Sequence, residues 1–291
     1  VDLTTAFQIT VTGTSFGFLN DHFDSSYAYS YNVDCDSDSE QEASGQGAGF
    51  TCEYDTNGPH TLSINGTLPY FRADDSSKDN LVTINNWGNI VWSDLAYAFL
   101  DASNLTGIAS DAGVPSFAQD ASLASMFSGA TKFNADLSLW DVSRVADMSL
   151  MFRDAKSFAG NVSTWNISNV RNLDFMFAGA SVFNSDISKW DVSSVTTTRG
   201  TFGNTVKFNA NISDWNTSNF RNTTAMFLGA TAFNQNLASW DMSKVTDVTG
   251  MLKDASAFSN NDLSCWDISN VVLYEDFSSG WGTNNQEPLW D

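Results

Sequence analysis

Asp34, Asp36 and Asp38, with Glu40 just beyond, place carboxylates at alternate positions of one short run. Hard cations favour this D-x-D-x-D spacing because alternate oxygens can converge on one ion, and calcium is the ion it suggests. The plainer alternative is an exposed strand face, which also alternates acids with other residues. Ser39 stands where a glycine would ease the tight turn of a cation loop. Cys35 sits inside the run and Cys52 in a second strand-like stretch, so a bridge between them is expected and suits an exported chain. Cys265 is left over, either a surface thiol able to cross-link chains or an unpaired cysteine in a terminal coil. Zinc is not expected, because only His22 and His60 could add nitrogen ligands.

The usual catalytic constellations do not occur. There is no GxSxG elbow, HExxH, phosphate-binding loop or dinucleotide fingerprint. Two histidines, both near the N-terminus, give a Ser-His-Asp arrangement little to draw on. Paired carboxylates could hydrolyse glycosides, so a hidden glycoside hydrolase stays as an alternative to a non-enzymatic role. Asn65, Asn104, Asn161, Asn166, Asn211, Asn216 and Asn222 begin Asn-x-Ser/Thr triplets. In a eukaryotic secretory pathway they would accept glycans; in an Asn-, Ser- and Thr-rich repeat they also arise by chance.

The residues that position these groups fall into two textures. From Trp140 onward a tryptophan recurs every 25 residues, at Trp165, Trp190, Trp215 and Trp240, with Trp266 one residue late. Phe127, Phe152, Phe177, Phe202 and Phe227 keep the same beat, as do Phe133, Phe158, Phe183, Phe208, Phe233 and Phe258. A strict period of this length signals stacked coils, each too small to bury its own apolar faces. The unit reads MFxGAxxFNxDISxWDVSxVTDMSx. Met148, Met151, Phe152, Ala155 and Phe158 lie at i, i+3, i+4, i+7 and i+10, which predicts a short helix. Ile187, Trp190, Val192 and Val195 tighten toward alternation and predict the strand of each coil, stacked about 4.8 Å from its neighbours. The Asn after the third-column Phe, and the Asp or Asn after each Trp, suit corner hydrogen bonds to backbone. An aberrant first coil begins at Trp87, followed by an irregular connection from Asp101 to Ser125.

Upstream, Phe7–Val11, Tyr27–Tyr31 and Thr61–Ile64 alternate instead, predicting a small antiparallel sandwich. Acidity concentrates here, with thirteen carboxylates against Arg72 and Lys78 in residues 1–79. The expected layout is a sandwich over 1–70, a connection over 71–85, a solenoid of about seven coils over 86–280 and a tail over 281–291. The whole is mainly β with short helices. A formal charge of −21 argues against nucleic acid or anionic lipid as partners. No apolar stretch reaches the roughly 18 residues of a spanning helix. A start at Val1 without an initiator Met fits a mature product whose export signal has been removed.

The run Asn32–Asp38, then Thr51–Tyr54, Gly58, Thr61–Thr67 and Pro69, resembles the PKD-like domain of bacterial surface proteins. Asn86–Ile90, Ala96–Phe99 and the 25-residue units resemble the BspA-type, leucine-rich-repeat-like surface family. Ser39, in place of the sandwich motif's usual Gly, and Thr198, Thr201 and Thr223, in place of core apolar residues, depart from those patterns. The resemblance implies an extracellular or cell-surface protein without catalysis, adhering to host, matrix or carbohydrate surfaces. Self-association is the companion expectation. Phe7–Val11 is expected first to pair within its own sandwich and otherwise to complete a neighbour's sheet, and the tail from Gly280, with Trp281 and Trp290, could dock end to end into a filament.

Overall fold

The computed structural model describes residues 3–19, 27–45 and 49–290, so His22 lies outside the described residues. The chain is mainly β, built from open sheets, and its helical content among the described residues is one 3-10 turn at Lys78–Asn80. No helix of the described residues is long and apolar enough to cross a membrane.

A six-stranded sheet gathers β1 (Phe7–Val11), β3 (Ser30–Asp34), β4 (Ala43–Gly45), β6 (His60–Thr67), β8 (Leu81–Trp87) and β10 (Gly107–Ile108). Their spatial order is β10-β8-β1-β6-β3-β4, antiparallel except for β10 beside β8. A three-stranded sheet holds β2 (Ser15–Leu19) between β5 (Phe50–Glu53) and β7 (Arg72–Ala73). Alternation works as physics demands in β1, where Phe7, Ile9 and Val11 are buried and Gln8 and Thr10 are not. Of the two pairings open to this segment, the structure has the one within its own sheet. Phe7 faces Ile64 of β6 on one side and Trp87 of β8 on the other, so both of its hydrogen-bonding edges are used.

Residues 71–85, read from sequence as the connection, are part of the packed structure. Arg72 and Ala73 pair with β2, the Ala73 N–H donates to the Ala98 carbonyl, and β8 starts at Leu81. Two register shifts in the pairing of β8 with β1 make its burial fall on every third residue, Leu81, Ile84 and Trp87. Bulges of this kind hide a strand from an alternation test. An aromatic knot joins the two halves: Phe7 lies 5.2 Å from both Phe71 and Trp92, and Trp87 meets Trp140 edge-on at 5.3 Å.

Beyond it, β9 (Val91–Asp94), β11 (Ser116–Ser122) and β12 (Val145–Asp147) form a parallel sheet. Its ladder continues as single parallel bridges through Asp147, Asn172, Thr197, Asn222, Asp247 and Leu273. The segment expected to be helical in each unit carries this ladder instead. The N–H groups of Met148, Leu150, Phe152 and Asp154 donate to the carbonyls of Asn172, Asp174, Met176 and Ala178 in the next unit, at 2.7–3.2 Å. Between them, Met151, Arg153 and Ala155 donate to Met148, Leu150 and Phe152, closing consecutive four-residue turns. Left-handed backbone at Leu150 (φ 58°) and Asp154 (φ 56°) prevents helical continuation. Successive turns place every third or fourth side chain inward, as a helix would, which is why the spacing alone misleads. The strand expected at Ile187–Val195 is a pair of turns as well, with Trp190 donating to Ile187 and Val195 to Val192.

The stacked units bury their columns almost completely. Trp140, Trp165, Trp190, Trp215 and Trp240 stack at 6.2–6.5 Å, and the Phe127-to-Phe227 column at 5.6–5.9 Å. Both spacings suit offset aromatic stacking. The indole N–H groups of Trp165, Trp190, Trp215, Trp240 and Trp266 each reach the preceding unit, Trp190 Nε1 donating to the Val162 carbonyl at 3.0 Å. The threonines that interrupt the apolar columns are buried and satisfied. Thr201 Oγ1 donates to Leu173 O at 2.9 Å and Thr205 Oγ1 to Phe177 O at 2.7 Å, so these hydroxyls bind one unit to the one before it. At the far end, Trp281 stacks on Phe258 at 5.7 Å and Trp290 on Tyr274 at 4.7 Å. The tail tryptophans fold back onto the last units instead of projecting.

Candidate functional site

Most acidic and amide side chains of the units are committed to the backbone. Asp136, Asn161, Asp186, Asn211, Asn236 and Asp262 each accept the N–H two residues on. Asp141, Asn166, Asp191, Asn216, Asp241 and Asp267, each following a Trp, do the same. The Ser hydroxyl, then the Ser N–H, holds Asp141, Asp191 and Asp241 below the usual carboxylate range; in Asp136 and Asp186 the N–H contributes more. The triplets at Asn161, Asn166, Asn211 and Asn216 share this geometry: Asn accepts, and Ser two residues on donates. Those four asparagines and Asn104 are exposed, while Asn65 and Asn222 are half-buried. Asn134, Asn184, Asn209 and Asn234 bridge units, their Oδ1 atoms accepting the N–H of residues 159, 209, 234 and 259.

The acidic run forms a compact loop after β3. Asp34 is buried, and its two oxygens accept the N–H groups of Ser37 and Ser39 at 2.6 and 3.0 Å. Both serines have left-handed backbone (φ 62° and 75°), so Ser39 adopts the conformation a glycine would adopt with less strain. Glu42, not Glu40, completes the cluster: carboxylate oxygens of Asp34, Asp36, Asp38 and Glu42 lie within 4.8 Å of one another. Among the described residues no ion pair reaches them. Their field is felt at Tyr54, whose phenol is pushed above its ordinary range by burial and then by Asp36 and Glu42. An all-oxygen, fourfold acidic donor set fits a hard divalent cation. Cys35 and Cys52 are joined by a disulfide that ties the loop to β5, and Cys265 is free and exposed.

A second arrangement was not marked in the sequence reading. One column of the units keeps its 25-residue spacing and left-handed backbone but not its side chain: Leu150, Phe175, Gly200, Ala225, Gly250. A neighbouring column runs Arg153, Ala178, Gly203, Leu228, Lys253. Where both columns shrink, the ladder face sinks into a cleft of about 510 Å³. Phe175 lies down into it against Gly200, where an added Cβ would collide with the ring. Beneath, Asp174 is buried and accepts the Thr197 hydroxyl, the Arg199 N–H at 2.8 Å and the Arg199 guanidinium at 2.7 Å. That pairing fixes Arg199 with half its side chain exposed and its Cζ 6.0 Å from the Phe175 ring centre. On the opposite wall Arg153 Nε stands 3.4 Å from Asp154. The cleft thus offers apolar walls, planar polar groups and charges that cancel internally. Two repeat columns that vary in size while the aromatic columns hold constant are the signal that could have located it.

No curated protein and no solved structure matches the chain. Residues 93–206 and 180–289 each match the family described as "Mycoplasma protein of unknown function, DUF285". Together the two matches span residues 93–289, well over half of the chain, which therefore belongs to the DUF285 family.

Proposed function

We propose that this is an extracellular surface protein whose leucine-rich-repeat-like solenoid, of the BspA type, displays a binding face for adhesion, with an N-terminal PKD-like sandwich as spacer. The observation that carries this reading is the division of labour in the units. Their carboxylates and amides hold the coil corners, which supports a structural and non-catalytic role for them, while the ladder face varies from unit to unit and is free to recognise. The Cys35–Cys52 disulfide supports an oxidising, extracellular location. A calcium ion on Asp34, Asp36, Asp38 and Glu42 would brace the sandwich. Purified chain on beads should adhere to polysaccharide- or matrix-coated surfaces above a bovine albumin control. Equal retention on all surfaces sinks the adhesion reading, and turnover of polysaccharide in the same assay would favour a glycoside hydrolase.

Assembly into a filament is a second reading, favoured by the last unit. Val272, Leu273 and Tyr274 are exposed there, as is Leu289. Such an apolar end suits docking of another copy. Negative-stain images showing only single particles at high concentration would remove it.

A further inference from the structure

We propose that the cleft around Phe175 binds an uncharged polysaccharide segment, an assignment that rests on the adhesion reading and gives it a ligand class. Its volume, about 510 Å³, falls within the ~300–1,000 Å³ of small-ligand pockets. The cleft crosses four successive units joined by the hydrogen-bonded ladder, so like positions along it recur at about 4.8 Å, close to the length of one hexose residue in an extended chain. A linear ligand with that repeat can meet equivalent positions in consecutive units.

Charge and backbone exclude the competing ligand classes. Arg199 is neutralised by Asp174, Arg153 stands beside Asp154, and the chain as a whole carries −21, so an anionic polysaccharide is repelled at long range and gains no free cation at contact. A peptide adding as a strand needs open main-chain groups. Along the cleft floor the N–H groups of Leu150, Phe175, Gly200 and Ala225 already donate to the next unit at 2.6–2.8 Å. What is left is side-chain chemistry. The apolar edges of Leu150, Phe175 and Leu228 suit the C–H faces of sugar rings. Planar Asp154, Asn204 and Arg199 can each pair with two neighbouring hydroxyls. The fold tolerates no side chain at this column equally well, since Gly200 and Gly250 hold the same left-handed backbone, yet Phe175 keeps a large ring there.

The test titrates the full chain with hexasaccharides of glucose, mannose and N-acetylglucosamine, with hexagalacturonate as the charged arm, by calorimetry. At least one neutral hexasaccharide is expected to bind, and hexagalacturonate at least tenfold more weakly. Phe175→Gly removes the ring at a position where glycine fits the backbone. Ala178→Lys fills the cleft with a side chain of the kind Lys253 carries in the same column. Each should weaken binding at least tenfold with the melting temperature kept, and if one variant fails to fold the other carries the comparison. Binding of no neutral hexasaccharide, unchanged affinity in the folded variants, or equal affinity for hexagalacturonate overturns the proposal. Surface adhesion of the beads is read separately: adhesion that persists in both variants leaves the adhesion reading standing without this cleft. Cleft binding without adhesion does the reverse.

Discussion

The N-terminal sheets and the repeat stack reach the same β-rich outcome by opposite routes. In the sheets, neighbours in space are far apart in sequence: β1 is flanked by β6 and β8, and the loop after β3 is clamped by a disulfide across 17 residues. In the stack every unit touches the unit 25 residues away through the same atoms, repeated. The first arrangement concentrates stability in a few long-range ties, whereas the second distributes it over many equivalent local ones. Damage should therefore spread differently in the two regions.

The largest effect is expected in the middle of the stack. Trp190 is flanked by Trp165 and Trp215, and its indole donates to Val162, so Trp190→Ala should cost about 3–5 kcal/mol through cavity formation and lost contacts. Thermal melts should show the stack transition falling while the N-terminal transition holds; a melt that does not move breaks the stacking register. Removing the disulfide by Cys35→Ser with Cys52→Ser should cost about 3 kcal/mol, the chain entropy of a loop of this length, and should lower the N-terminal transition first. If both transitions drop together, the two regions unfold as one and the contrast drawn here fails.

The stack's period and the strands β1 and β6 were legible in the residues because columns and alternation report which side chains face inward. What lay beyond that reading was how the backbone achieves it. Met148 to Phe158 has a helix's spacing, but turns pivoting on left-handed residues bury the same side chains and free alternate N–H groups for the next unit. The central place of β1 depends on β8, whose bulged pairing shows no alternation. Of the sites, the acidic loop announced itself through Asp34, Asp36 and Asp38, although Glu42 rather than Glu40 joins them. The cleft did not, because it arises from two columns losing their side chains at the same height, and no single motif contains both.

Smaller effects sharpen the same comparison. If calcium fills the Asp34 loop, an ion at a hundred times its dissociation constant adds about 2.7 kcal/mol, so chelator should lower the N-terminal transition alone and Asp36→Asn should abolish the response. Identical melts with calcium and with chelator would leave the loop a self-capped turn. Acid should act on the other region. Asp136, Asp141, Asp186, Asp191 and Asp241 have depressed values in the fold, so the unfolded chain takes up protons first as pH falls below about 4, and stability declines toward their folded values. The decline is modest at each exposed site. It should be read as a drop in the stack transition between pH 5 and pH 3, which Asp141→Asn with Asp191→Asn would blunt; a flat profile would deny these aspartates their corner role.

One feature of the stack bears on how such a protein can change its length. The left-handed corner position reads Asp101, Gly129, Asp154, Gly179, Asn204, Gly229, Asp254, Gly280, and a Cβ at any of these glycines would strike the Asp or Asn of the unit before it. The position after the Trp alternates too, Asp141, Asn166, Asp191, Asn216, Asp241, so that like charges do not adjoin; where they do, at Asp267, the Ser269 hydroxyl and N–H still hold the carboxyl low, against a smaller opposing effect of Asp241. Excising residues 166–190 would bring Asp154 against Asn204 and Asp141 against Asp191, a steric collision at one place and a repulsion at the other, whereas excising residues 180–204 would set glycine beside glycine and Asn beside Asn with neither penalty. Excising two restores both patterns. A pair of coils is therefore the length that can be gained or lost at any register with both patterns kept, whereas a single coil can be lost without a collision only where its own corner is Asp or Asn.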